Sequence, residues 1–519
     1  MPTLIHVAVL LAIALATAFA RADTPADAPT LFARHCASCH GADRLGQMGP
    51  ALLPESLARL KPAAARQVIT HGRTATQMPA FDAVLAPAQI DAIATWIYQD
   101  TGEIPPWGED RIRASRIVHV DAATLPAKPV FDADPLNVFL VVEQGDHHVS
   151  VLDGDTMERI HRFASRYALH GGPKFTADGR FVFFASRDGW ITKYDLWNLT
   201  PVVEVRAGVN TRNLAVSDDG KVVAVANYLP HTLVLLDGEL NLIKVIEVTD
   251  ASGKTSSRVS AVYDAAPRKS FVAALKDVPE VWEISYDPKA EPIAAGYIHD
   301  YQYQEGSFIP GYLNPRRTQL DDVLDDFFFT QDYAEVMGTA RKTRQGQVVN
   351  LDVRRKVADL AIGGMPHLGS GITWQWHGRT VMASPNLKES KISIIDMRDW
   401  QVLKEVKTLG PGFFMRSHEH SRYAWIDSMM SPTGRDTLQI LDKERFEIVG
   451  TVSEPGKTLA HVEFDRNGRY VIASLMEEDG AIIFYDADTW QEIRRLPASK
   501  PIGKYNVFNK TRRSEGTSH

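Results

Sequence analysis

A unit of apolar strand, turn and second strand ending in aspartate or a near relative recurs along most of this chain. It constrains the fold more than any other feature. Phe139-Leu140-Val141-Val142 is followed by Val149-Ser150-Val151-Leu152-Asp153, and Phe181-Val182-Phe183-Phe184 by Ile191-Thr192-Lys193-Tyr194-Asp195. Val222-Val223-Ala224-Val225 is followed by Leu233-Val234-Leu235-Leu236-Asp237. The pattern returns at 271–275 with 281–285, 327–330 with 347–352, 381–384 with 392–396, 423–426 with 438–442 and 470–474 with 482–486, making eight copies. Alternation at period two, with Asp178-Gly179, Asp219-Gly220 and Asn467-Gly468 at turns, argues antiparallel strands. A chain of 519 residues is too long for one ordinary core unless it repeats. Radial repetition protects sheet edges that would otherwise pair with other chains. The expected fold of residues 134–519 is therefore an all-β eight-bladed propeller; a two-sheet sandwich would not give eight equivalent copies. The first copy lacks a preceding strand, and the spare segment Lys504-Tyr505-Asn506-Val507-Phe508-Asn509 is expected to close the ring by supplying it.

Both cysteines of the chain fall in Cys36-Ala37-Ser38-Cys39-His40. C-x-x-C-H lets two thiols bond to the vinyl groups of a haem while the histidine supplies an axial nitrogen. A redox dithiol is the alternative, but the motif ends the amphipathic run Thr30-Leu31-Phe32-Ala33-Arg34-His35 instead of joining a strand to a helix. One covalent haem c is expected on Cys36 and Cys39, with His40 on one side of the iron. Met78, in Thr76-Gln77-Met78-Pro79, is the expected sixth ligand, ahead of Met48, which lies close to the attachment site, and His71. Residues 87–99 read as a helix with Ile90, Ile93, Ala94 and Ile97 on one face. A small all-α cytochrome c domain over 23–102 and a proline-stiffened linker over 103–133 follow. Residues 1–22 read as a cleaved signal peptide, with an apolar core at 7–18 too short to span a bilayer and a small-x-small site at Ala20 or Ala22. The expected address is the periplasm, with no membrane span after cleavage. With 57 Lys and Arg against 64 Asp and Glu, nothing suggests nucleic acid as a partner.

Residues just before each innermost strand lie near a propeller's axis, all at one end. Taken blade by blade they are Tyr505, His170, Arg212, Arg258, His367, Arg416 with His418 and His420, and His461. Among 17 histidines, any one is most often a surface or satisfied core residue. Several at equivalent sites of different blades can ligate iron on either face of a planar macrocycle or move protons. The arginines suit the carboxylates of such a ring. The plain alternative is loop residues that only cap strands.

Three stretches give the chain a family resemblance: Arg166-Tyr167-Ala168-Leu169-His170, Arg187-Asp188-Gly189-Trp190-Ile191 leading to Asp195-Leu196-Trp197, and Gly503-Lys504-Tyr505-Asn506-Val507. With them it resembles cytochrome cd1 nitrite reductase and its biosynthetic relatives, which join a cytochrome c domain to an eight-bladed propeller that binds haem d1. The resemblance implies that His170 is the proximal haem d1 ligand and that Arg187, Arg212, Arg258 and Tyr263 contact the ring's edge. The nitrite reductases carry two distal histidines. The blade that should hold the first reads Asp325-Asp326-Phe327-Phe328-Phe329-Thr330-Gln331-Asp332-Tyr333 here, with no histidine in it or in the segment leading up to it from Gly306. This departure is similar to the dihydro-haem d1 dehydrogenase branch, which oxidises a ring propionate to an acrylate in the last step of haem d1 synthesis. That branch implies His367, on a flexible glycine-rich loop, as distal ligand, and His461 with Tyr505 beside the reacting propionate. It also implies electrons passed to the haem c, an external periplasmic acceptor, and a nitrite reductase that receives haem d1. A haem d1 carrier or insertion chaperone, and a nitrite reductase, are the alternative functions.

Overall fold

The computed structural model describes residues 27–47, 49–57, 60–73, 78–101, 106–300, 305–339 and 346–512. The expected signal segment and Met48 lie outside the described residues. Eight four-stranded antiparallel sheets follow one another around an axis, one of them extended by a fifth strand. The second strand of each blade is sandwiched between neighbouring blades, so it is apolar on both faces. Val138–Glu143 and Ser270–Leu275 are buried at every position. Each fully buried Val, Leu, Ile or Phe contributes roughly 1.5–3 kcal/mol. The outermost strands alternate instead, as in Arg355–Leu360 with its exposed and half-buried residues.

The aspartate that ends the third strand of most blades has a structural cause. Its carboxylate accepts a backbone N–H two or three residues on and fixes the turn into the fourth strand. Asp153 takes Asp155 N–H at 2.8 Å, Asp237 takes Glu239 at 2.9 Å, Asp396 takes Arg398 at 2.9 Å and Asp442 takes Glu444 at 2.9 Å. Blade 4 uses the Ser285 hydroxyl for the same bond, and blade 5 the Asn350 side-chain oxygen.

Strand Pro501–Asn506 pairs antiparallel with Val138–Glu143, Tyr505 opposite Leu140, and becomes the innermost strand of blade 1. The ring is closed as the spare segment implied. Phe327–Phe329 is the innermost strand of blade 5, not its second, and Glu335–Thr339 lies between it and Gly346–Asn350. Three consecutive buried phenylalanines carry no alternation to mark their rank. The true second strand is weakened as a signal by Gly338, where a Cβ would come within 2.9 Å of the Asp326 carbonyl. Blade 4 also carries an inserted hairpin, Ile293–Asp300 with Glu305–Ile309, before its fourth strand.

The N-terminal helices Ala28–His35, Ala37–His40, Pro54–Leu57, Pro62–His71 and Pro87–Trp96 enclose a core of Leu31, Phe32, Cys36, Ile69, Ile90 and Ile93. Asp27 caps the first by accepting Thr30 N–H at 3.1 Å. Downstream, the segment read as a linker forms helix Glu109–Ala114 and strand Ile117–Val118, which adds the fifth strand to blade 2. Leu45, Ala51 and Leu53 pack against Val209, Leu229 and Trp107. The helical domain therefore sits on the end of the propeller where innermost strands begin. Among the described residues no helix is long and apolar enough to cross a membrane.

Candidate functional site

His170 turns toward the axis because glycines follow it. Gly171 and Gly172 have φ of 84° and 71°, and a Cβ on them would come 2.5 Å from Asn213 Cβ and 3.0 Å from the Tyr505 ring. The His170 backbone N–H donates to Ala185 at 2.9 Å. Its Nδ1 lies 2.7 Å from the Arg212 carbonyl, a contact that requires the proton on Nδ1. Nε2 then keeps its lone pair and accepts from Arg187 Nη2 at 2.9 Å. Burial first, then Arg187 and Arg212, holds this imidazole well below its ordinary value.

His367 is built in the same way. Its Nδ1 donates to the Phe413 carbonyl at 2.8 Å, leaving Nε2 as the basic nitrogen. Burial lowers its pKa, and the field of His367 is felt at His170. The glycine-rich segment 363–371, expected to be flexible, is anchored. His367 N–H donates to Pro385 at 2.9 Å, Asn386 Oδ1 accepts from Met365, Lys388 and Glu389 N–H, and its Nδ2 donates to Gly363 at 2.8 Å.

His461 lies within strand Leu459–Phe464 at φ 50° and is 2% exposed. Its ring meets Tyr505 at 5.6 Å and Phe414 at 4.2 Å between centroids. Nδ1 accepts the Lys504 backbone N–H at 3.3 Å. Burial, then Lys504, Arg416 and Lys510, keeps it neutral, well below the usual imidazole range. Burial pushes the Tyr505 phenol up to about 12, so it remains a donor at neutral pH. Arg416 is 3% exposed, donates from Nη1 to its neighbour's carbonyl at 2.7 Å, and has an unpartnered Nε.

The ring-edge candidates divide. Arg212 lines the site beside His170. Tyr263 donates to Asp326 at 2.8 Å, and Arg258 is held by Asp277 through bonds of 2.6 and 2.8 Å. His418 and His420 are not brought to the site. They fall in the turn after strand Met415–Arg416, at the opposite end, where the His418 ring meets Phe464 and Gly468 and His420 is exposed. The sequence reading passed over Lys174, Tyr228, Lys276 and Asp427. Burial brings Lys174 down to about 8. Burial works against ionisation of Tyr228, but Arg212, Lys276 and Arg187 outweigh it and bring the phenol to about 8. Lys276 donates to the Tyr228 oxygen at 2.8 Å.

In the helical domain, His40 is 8% exposed and its Nδ1 contacts the Pro50 carbonyl at 2.8 Å, leaving Nε2 for a ligand. Gly49 is required there, since a Cβ would come 2.6 Å from the ring. Cys36 is buried, Cys39 half-buried, and Met78 packs against the cluster that contains Cys36.

Fold and site together define a cytochrome c domain joined to a tetrapyrrole-binding propeller. Residues 133–510 match the cytochrome D1 heme domain, and residues 23–97 match cytochrome C oxidase, cbb3-type, subunit III. The dihydro-heme d1 dehydrogenase of Pseudomonas aeruginosa is 53% identical over 491 residues, covering 94% of this chain and 95% of that protein. The nitrite reductase of Stutzerimonas stutzeri is 25% identical, covering 92% of each chain. The solved structure of the dihydro-heme d1 dehydrogenase NirN in complex with DHE superposes with a TM-score of 0.80 at 53% identity, covering 93% of this chain and 99% of that one. The chain belongs to the cytochrome D1 heme domain family, on its dihydro-haem d1 dehydrogenase branch. It is an oxidoreductase with a role in haem d1 biosynthesis, and its N-terminal domain takes haem c.

Proposed function

We propose that this protein oxidises a propionate of dihydro-haem d1 to an acrylate in the propeller pocket. The observation that carries the reading is the convergence of His170, His367, His461 and Tyr505 on one end of the axis, in a chain 53% identical to a dihydro-heme d1 dehydrogenase. The pocket fits an iron tetrapyrrole bearing carboxylates. Two imidazoles each have Nδ1 committed to a carbonyl and a basic Nε2, and the buried Arg416 guanidinium has donor capacity to spare. His170 and His367 would hold the iron through Nε2, which at His170 would require Arg187 to leave Nε2 for the ring's edge, with Arg212, Arg258 and Tyr263 nearby.

Turning –CH2–CH2– into –CH=CH– releases two protons and two electrons; one proton goes to His461 and the other to water, and the electrons leave one at a time for an external one-electron acceptor. His461 accepts a proton at Nδ1, whose partner is the long 3.3 Å contact from Lys504. The cations around it disfavour the imidazolium, so the proton is passed on instead of being retained. Tyr505, protonated, orients the propionate. Cys36, Cys39, His40 and Met78 would hold haem c, which when bound would supply one-electron transfer toward the external acceptor. The protein works in the periplasm and hands its product to a nitrite reductase. Lack of a distal histidine in blade 5, where Asp326 holds Tyr263, supports desaturation over nitrite reduction. An electron-transfer domain supports an enzyme over a carrier. Anaerobic exposure of the oxidised holoprotein to dihydro-haem d1 with a soluble one-electron acceptor, followed optically, tests the reading. Conversion to haem d1 with reduction of haem c is expected; binding without conversion would leave a carrier.

A further inference from the structure

Asp427 is 1% exposed, and the partners its carboxylate takes are backbone N–H groups from three separate segments. Oδ1 accepts from Phe413 at 2.7 Å and from Met429 at 3.4 Å; Oδ2 accepts from Phe414 at 3.1 Å and from His461 at 3.4 Å. The Phe414 N–H belongs to the same peptide plane as the Phe413 carbonyl, and that carbonyl takes the Nδ1 proton of His367 at 2.8 Å. We propose that Asp427 is a positioning residue that acts on His367 through this peptide, as a carboxylate–peptide–histidine relay. It fixes the ring and raises the basicity of Nε2, while the same carboxylate holds the backbone of His461.

The physical basis is the cooperative polarisation of linked hydrogen bonds. A peptide whose N–H donates to a carboxylate has a more negative carbonyl, and a histidine whose Nδ1–H donates to a stronger acceptor is a stronger ligand at Nε2. The arrangement is one-sided. His170 leans on the Arg212 carbonyl, whose peptide continues into Asn213 within the ordinary ladder between strands Asn210–Val216 and Val222–Leu229. The distal histidine is thus backed by an anion and the proximal one is not. The carboxyl, pushed up to about 6 by burial, is still ionised at neutral pH. Gly412 makes the close approach possible, since a Cβ there would come 2.3 Å from the Asp427 carbonyl.

The inference rests on His367 as the distal ligand, and the test separates the two. In apoprotein labelled with 15N-histidine, the Nδ1 proton resonance of His367 is identified by its loss in His367→Gln. It should move upfield in Asp427→Asn while that of His170 stays in place. An unmoved His367 resonance overturns the relay, whatever the iron does. In protein loaded with haem d1, cyanide must displace the distal histidine, so its dissociation constant should fall about tenfold in Asp427→Asn, the low end of the effect of outer-shell partners. His367→Ala sets the limit of that shift. A shift in His367→Ala with none in Asp427→Asn also overturns the relay. No shift in His367→Ala removes His367 as a ligand, and the apoprotein resonance then decides the relay alone. Asp427→Ser, smaller and equally neutral, is the second variant if the amide is not tolerated, and the same two readings decide it.

Discussion

Replacing His461 by alanine and, separately, by glycine divides its chemistry from its backbone. Both variants remove the imidazole and leave the buried Lys504 N–H without its acceptor, which costs about 1–3 kcal/mol in each. They differ at φ 50°, where a residue with a Cβ is strained by roughly 1 kcal/mol relative to glycine. His461→Gly should therefore be about 1 kcal/mol more stable than His461→Ala, seen as a higher denaturation midpoint at equal slope. Strain of this kind is held at functional sites by surrounding structure, here the Asp427 carboxylate and the Phe414 and Tyr505 rings. In the rate, the two should be alike. Loss of one general base costs roughly 10²–10⁴-fold. Single-turnover oxidation of bound dihydro-haem d1, followed anaerobically at the tetrapyrrole and haem c bands, should slow by that factor while binding persists, because the proposed iron ligands His170 and His367 are untouched. Turnover within tenfold of wild type in His461→Ala would remove His461 from proton transfer. A glycine variant less stable than the alanine one would refute the strain argument.

Met78→Ala should abolish the long-wavelength sulfur-to-iron band of the oxidised haem c; a band that survives moves the sixth ligand elsewhere. Tyr505→Phe should slow desaturation far less than His461→Ala, because a phenol pushed up to about 12 donates and does not accept at neutral pH; equal losses in single turnover would exchange their roles. Burial and neighbouring cations hold His170 and His461 well below 6.5, so the unfolded chain binds protons there that the folded one does not. Stability is then full well above pH 6.5 and falls as pH drops through it, by about 1 kcal/mol per group between pH 6.5 and 5.5. Denaturation midpoints should drop over that interval, less so in His461→Gln, and an unchanged drop in that variant would count against the neutral ring. Ending the chain after residue 500 deletes the strand paired with Val138–Glu143 and should abolish cooperative melting and tetrapyrrole binding together; a folded, binding product would show that closure is dispensable.

The repeat was legible because each blade buries one strand on both faces and ends another in an Asx turn, and both marks are local in sequence. The misplaced strand at 327–330 shows the limit of that signal, since a wholly buried triplet looks the same in any rank of a blade. The inserted hairpin of blade 4 follows no repeat and left no mark. At the site, residues that precede innermost strands could be found by counting blades, which placed His170, Arg212, His367 and His461. The same counting carried His418 and His420 along with Arg416, although two more positions take a chain through the axis to its other end. Asp427 was invisible for a different reason. Its partners are backbone N–H groups of residues 413, 414, 429 and 461, and backbone donors have no letter in a sequence.

Closure of the ring by its last strand has a consequence for when the molecule becomes competent. Asn506 bonds Asn137 across 369 residues, and Tyr505 of that strand forms one wall of the pocket. During folding the first blade waits for its inner edge until the last strand docks, so the pocket is finished by the same event that seals the ring. A chain interrupted late would carry an open edge and an unwalled chamber at once. Sealing the ring and walling the pocket are therefore one and the same step, made by a single strand at the far end of the chain.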